Sequence, residues 1–194
     1  MLDYIGMMVV SPRKSIQILV AEKRSILLGL AIVILASLVG GLNLAYIVSI
    51  KGLGFVGLKL PFLVSLSSVG IAGVYIILNI IFWLVLGVLI YAFDKILGGK
   101  ASLETVLLAY SYQWLPVLVT GLFSPIFYYL DTLTCIVVYV LLLLIALVWG
   151  YVYTLITNAE VNKFSLGHSF ASVLIAYIII VFVALPVSMV GGVH

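Results

Sequence analysis

Charge is what this sequence has least of. Only 8% of its 194 residues are Asp, Glu, Lys or Arg, while 66% are hydrophobic, and the mean hydropathy is +1.44. Soluble domains carry about 25% charged and about 45–50% apolar residues. Nine bases and six acids cannot give a chain of this length a water-compatible surface. The shortage excludes a soluble enzyme, a nucleic-acid binder and a disordered chain. It leaves a polytopic membrane protein.

Other scarcities narrow the chemistry. The single cysteine, Cys135, cannot form an intramolecular disulfide. The two histidines, His168 and His194, stand far from it in the chain, so neither a metal site nor a cofactor is expected. No His or Lys lies inside an apolar run to activate a serine or threonine. The carboxylates open to acid–base work are Asp94 and Glu104, which bracket one loop and are expected to cap it or pair with Lys95 and Lys100. The chain therefore reads as non-enzymatic. Gly52, Gly54 and Gly57 fit the spacing of a dinucleotide-binding fingerprint, but that chemistry needs an acid about 20 residues later, and the next one is Asp94. No cleavable signal peptide is expected, because Arg13-Lys14 precedes a long span rather than a short apolar core.

Long apolar runs are what is abundant. A membrane-crossing helix needs about 20 such residues, and the runs predict an all-α bundle of five spans at about 26–50, 71–93, 103–123, 132–157 and 166–189. Residues 1–25 form a separate cytoplasmic segment ahead of the membrane domain 26–194. Gly70 and Gly73 are the expected break before the second span, with 61–69 as a short interfacial or re-entrant piece, or a sixth span if it penetrates. Ser102, Asp131 and Ser165 are placed to cap the third, fourth and fifth spans, and Pro116 is expected to kink the third.

The bases then set the orientation. Arg13, Lys14, Lys23, Arg24, Lys95, Lys100 and Lys163 fall on one side, and only Lys51 and Lys59 on the other. Positive charge marks the cytoplasmic side, so the N-terminus is expected inside and the C-terminus outside. Ser11-Pro12 suits a helix start, after which Ile16, Leu19 and Val20 share one face. That describes an amphipathic helix on the membrane surface, with Arg13, Lys14, Lys23 and Arg24 at the lipid headgroups.

Polar residues within the runs are few. Asn43, Asn79, Tyr110 and Gln113 either hydrogen-bond between helices or line a shared polar cavity around the kinked third span. Ala36, Ser37, Gly40, Gly41 and Ala45 form a small-residue row suited to close helix packing, within the chain or with a second copy through the Gly40/Gly41 face. Trp83, Tyr91, Phe127, Tyr128, Tyr129, Trp149 and Tyr153 read as interface belts and packing.

Several of these marks recur together. The loop Asp94-Lys95-Ile96-Leu97-Gly98-Gly99-Lys100-Ala101-Ser102 leads into a Tyr-rich helix containing Pro116. A span ending in Trp149-Gly150 follows, then Val161-Asn162-Lys163-Phe164-Ser165-Leu166-Gly167-His168. With Ser11-Pro12 ahead of the first span, the chain resembles the Yip1 domain family of five-span membrane proteins. The resemblance implies a cytoplasmic N-terminus and, for eukaryotic members, links to Rab GTPases and vesicle traffic. The short segment ahead of the first span resembles the prokaryotic type instead, which implies a plasma-membrane protein. Asp94, Gly98, Gly99, Lys100, Glu104 and Pro116 are the family-like loop and kink. The expected function is a scaffold engaging the lipid bilayer and other membrane proteins, without nucleic acid. The alternative is a channel or transporter for a small neutral solute or ion.

Overall fold

The computed structural model describes residues 6–7, 10–22, 26–51, 68–121, 123, 126–127 and 129–190. Lys23, Arg24, Lys59, the glycines at 52, 54 and 57, residues 61–67, Ser124, Pro125, Tyr128 and His194 lie outside them. The described elements are all helical: α1 (Pro12–Ala21), α2 (Ile26–Lys51), α3 (Ser68–Ile96), α4 (Leu103–Ser111), a 3-10 turn (Tyr112–Trp114), α5 (Leu115–Gly121), α6 (Thr132–Asn162) and α7 (Leu166–Val190). By length and composition, three stretches can cross a membrane: Ile26–Tyr46, Val69–Ile96 and Leu133–Asn162. The apolar stretch described in α7, Leu166–Phe182, is shorter.

Helix α3 begins earlier than the glycines suggest. It runs unbroken through Gly70 and Gly73, where a break was expected. A helix is the arrangement that satisfies backbone groups locally in an apolar setting, so a glycine there is no stop signal. Helix α2 lies along α3 and also meets α4 and α5, while α6 packs on α1, α4, α5 and α7, and α7 returns to α3. The small-residue row of α2 sits at the first of these contacts. Ala36, Ser37, Gly41 and Ala45 are buried. A Cβ on Gly41 would come within 3.0 Å of the Ala72 backbone, and one on Gly40 within 3.0 Å of the Tyr75 ring. The Gly40/Gly41 face is therefore packed against α3, the within-chain one of the two expected uses.

The third apolar run is two helices joined by a 3-10 turn at the expected kink. Pro116 has no N–H, so the carbonyl of Tyr112 loses its α-helical donor. The N–H of Leu115 bonds that carbonyl instead, closing the 3-10 turn. The caps are local. Ser102 Oγ accepts from the Thr105 N–H at 3.3 Å, and Asp131 Oδ1 from the Thr134 N–H at 3.1 Å. The Thr134 contacts hold the Asp131 carboxyl below the usual carboxylate range. Ser165 Oγ accepts from the His168 N–H at 3.3 Å. Lys163 closes α6 in the left-handed conformation, φ 58°.

The core joins Ile16 and Leu19 of α1 to Val33, Trp83, Leu86, Ile90, Val106, Tyr112, Leu115 and Val173. Trp83 is buried and donates Nε1–H to the Leu107 carbonyl at 3.1 Å, so it packs the core and forms no belt. The outer faces are as apolar as the core. Ile77, Leu78, Ile81 and Val85 of α3 and Leu141, Leu144, Ile145 and Val148 of α6 are exposed. Such a surface suits hydrocarbon and not water.

Candidate functional site

The site begins where α3 ends. Gly98 takes φ +88°, a conformation open to glycine at little cost, and turns the chain back. The Gly99 N–H then bonds the Asp94 carbonyl at 2.7 Å. This folds the loop over the Asp94 side chain, which is only 1% exposed. Asn158 and Asn162, one turn apart on α6, share a face and point at it. Asn158 Nδ2 donates to Asp94 Oδ1 at 3.0 Å, and Asn162 Nδ2 to Asp94 Oδ2 at 2.8 Å. Asn158 Nδ2 also reaches Ser172 Oγ of α7 at 3.2 Å. Asn162 Oδ1 accepts the Ala101 N–H at 3.2 Å. One carboxylate thus joins α3, the 97–102 loop, α6 and α7. A buried carboxylate costs several kcal/mol unless its oxygens are satisfied, and each hydrogen bond to a charged group returns about 1.5–3 kcal/mol. Gly99 is required by space: a Cβ there would lie 2.5 Å from Asn162 Oδ1.

A second polar tier follows along α6. Thr157 Oγ1 donates to the Ala109 carbonyl at 3.0 Å, and Thr154 Oγ1 meets Gln113 Oε1 at 3.4 Å. Tyr177 also donates to Gln113 Oε1. Gly150 lets the Gln113 backbone come close, since a Cβ there would sit 2.5 Å from the Gln113 carbonyl oxygen. The third cluster fixes α1. Ser15 Oγ and Tyr112 OH are 2.6 Å apart and buried. Gln17 Nε2 donates to Glu160 Oε1 at 2.8 Å, Lys163 Nζ lies 2.9 Å from the same oxygen, and Arg13 Nε lies 3.4 Å from Oε2.

The protein-family model for the Yip1 domain matches residues 5–188, nearly the whole chain. This chain belongs to the Yip1 domain family. As a Yip1 protein with span-length apolar helices it is a membrane protein, of a family that is in general membrane-associated and non-enzymatic. Neither the curated proteins nor the solved structures gave a match.

The family-like loop of this Yip1 chain is divided by the structure. Asp94 and Gly99 are buried in the joint, while Gly98, Lys100 and Glu104 are exposed. Asp94 was expected to cap the loop or pair with Lys95 or Lys100; its carboxylate takes Asn158 and Asn162, and Lys95 Nζ donates to the Gly99 carbonyl at 3.1 Å and lies over the Tyr91 ring. Pro116 is buried directly after the 3-10 turn. The four residues of the expected polar cavity are not brought together. Asn43 lines a cavity of about 60 Å3 with Tyr75 and Thr120. Asn79 donates to the Tyr75 carbonyl of its own helix at 2.8 Å. Gln113 belongs to the second tier, where the buried Tyr110 hydroxyl lies near Tyr177 without a well-formed bond. Of the four headgroup bases, Arg13 is tied to Glu160, Lys14 is exposed on α1, and Lys23 and Arg24 fall outside the described residues. Val20, expected on the apolar face, is 42% exposed. Sequence reasoning missed Asn158, Asn162, Glu160 and Ser172. The one local signal was two amides at i, i+4 near the end of an apolar run.

Proposed function

We propose that this Yip1 protein is a five-span, non-enzymatic scaffold of the membrane, with its N-terminus in the cytoplasm and its C-terminus outside. Its surface for lipids and membrane proteins is the outer face of α1 with Arg13 and Lys14, together with the sequence bases Lys23 and Arg24 and the loop 98–104. A prokaryotic plasma membrane fits this arrangement. The observation that carries the reading is the use made of buried polar side chains. Asp94, Asn158, Asn162, Thr157, Ser15 and Tyr112 bond from one helix to another. They hold helices in place and leave the basic, exposed side of α1 facing outward.

The test uses the full chain in lipid. In nanodiscs, thermal stability should rise when phosphatidylglycerol replaces phosphatidylcholine, and the combined R13Q, K14Q, K23Q and R24Q variant should lose that gain. Each base near an anionic surface contributes about 1 kcal/mol. In sealed vesicles the protein should pass neither glycerol nor small ions faster than empty vesicles do. Flux above that background, or stability indifferent to lipid charge, would overturn the scaffold.

A further inference from the structure

Helix α1 and the end of α6 enclose a groove of about 210 Å3. Ile16, Val20 and Val161 give it apolar lining, and Gln17, Glu160 and Lys163 give it a polar part. Pockets that swallow a drug-sized ligand hold about 300–1,000 Å3, so this one suits a headgroup and the first stretch of an acyl chain. It lies at the end of a span-length apolar helix, the depth at which headgroups sit.

Its charges match that occupant. Glu160 is 16% exposed and binds two bases, Arg13 at 59% and Lys163 at 69% exposure. Two bases on one acid leave the rim positive. Shared pairing with Glu160 also brings Arg13 and Lys163 to one rim while their surfaces stay open. A guanidinium carries five donors and an ammonium three, enough to meet Glu160 and a phosphate together. A choline headgroup would bring a cation toward the same rim.

We infer that this groove seats one anionic phospholipid, its phosphate against Arg13 and Lys163 and the start of an acyl chain against Val20, Ala21 and Val161. The inference rests on the scaffold reading, in which α1 contacts lipid, and it names the lipid class and the seat. Native mass spectrometry of the full chain, titrated in detergent with phosphatidylglycerol, phosphatidylcholine or inorganic phosphate, tests it. One phosphatidylglycerol should be retained per chain, with affinity about tenfold above that of phosphatidylcholine, and inorganic phosphate should not displace it. The R13Q/K163Q variant should lose that preference. V20W, at an already exposed position, should block the seat with all three charged groups intact. Equal retention of the two lipids, displacement by phosphate, or undiminished binding in V20W would overturn the seat. In the V20W case the scaffold reading survives. Solute flux in vesicles would fell the scaffold reading and leave the seat to be judged by V20W.

Discussion

Asp94 is the residue whose loss the fold feels most sharply. Its two oxygens accept from Asn158 and Asn162 in a place that water does not reach. Removing it leaves both amides short of an acceptor, at about 1–3 kcal/mol for each group left unmet. Asn158 keeps Ser172, and Asn162 keeps the Asn158 side chain at 3.0 Å, so neither is stripped bare. D94A should lower unfolding stability by about 2–4 kcal/mol. N162A should do the same, and the double variant should cost at least about 0.5 kcal/mol less than the sum. Unfolding in detergent micelles measures all three, and strictly additive values would mean that the residues do not share a network. Little of this was legible beforehand. Asp94 was visible as an acid at a span's end, and the loop glycines as a turn. The partners stand 64 and 68 residues away, and no local pattern announces a contact at that distance.

The elements were more readable, because lipid imposes a rule that sequence must obey. An apolar stretch of span length is its own signature, and Ser102 and Asp131 mark their helix starts by ordinary capping chemistry. Glycine misled at Gly70 and Gly73, where propensity gave way to the need for paired backbone groups. Pro116 marked the place of the break, although its form, a 3-10 turn, depends on which carbonyl finds a donor. Helix α1 was amphipathic on paper, yet its apolar side packs on protein: Ile16 and Leu19 are buried in the core. That packing, rather than charge, should hold it. I16A costs about 2 kcal/mol or more in a filled core and should speed tryptic cleavage after Lys23 or Arg24 at least about tenfold. R13Q should change that rate little, since a pair with one base 59% exposed is weak. The opposite ranking would make α1 an electrostatic attachment.

At the scale of the molecule, the five spans proposed above and the charge distribution make one joint claim about sides. The exposed Lys100 and the 88% exposed Tyr129 stand at the two ends of the α4–α5 segment. In a C135A background, K100C and Y129C in sealed, oriented vesicles should react with an impermeant thiol reagent from opposite sides, Lys100 from the side of α1. Labelling of both from one side would remove a span.

Chain order also bears on how such a protein is made. Asp94 leaves the ribosome 64 residues before Asn158 and 68 before Asn162. At about 5–20 residues per second its carboxylate waits several seconds for them. Ser15 waits for Tyr112, 97 positions on, and Gln17 for Glu160, 143 positions on. Until a partner arrives, hydration at the bilayer edge costs these polar groups less than burial would. Arrival of α6 brings the partners of Asp94 and Gln17, so the last third of the chain closes contacts that the earlier helices leave open.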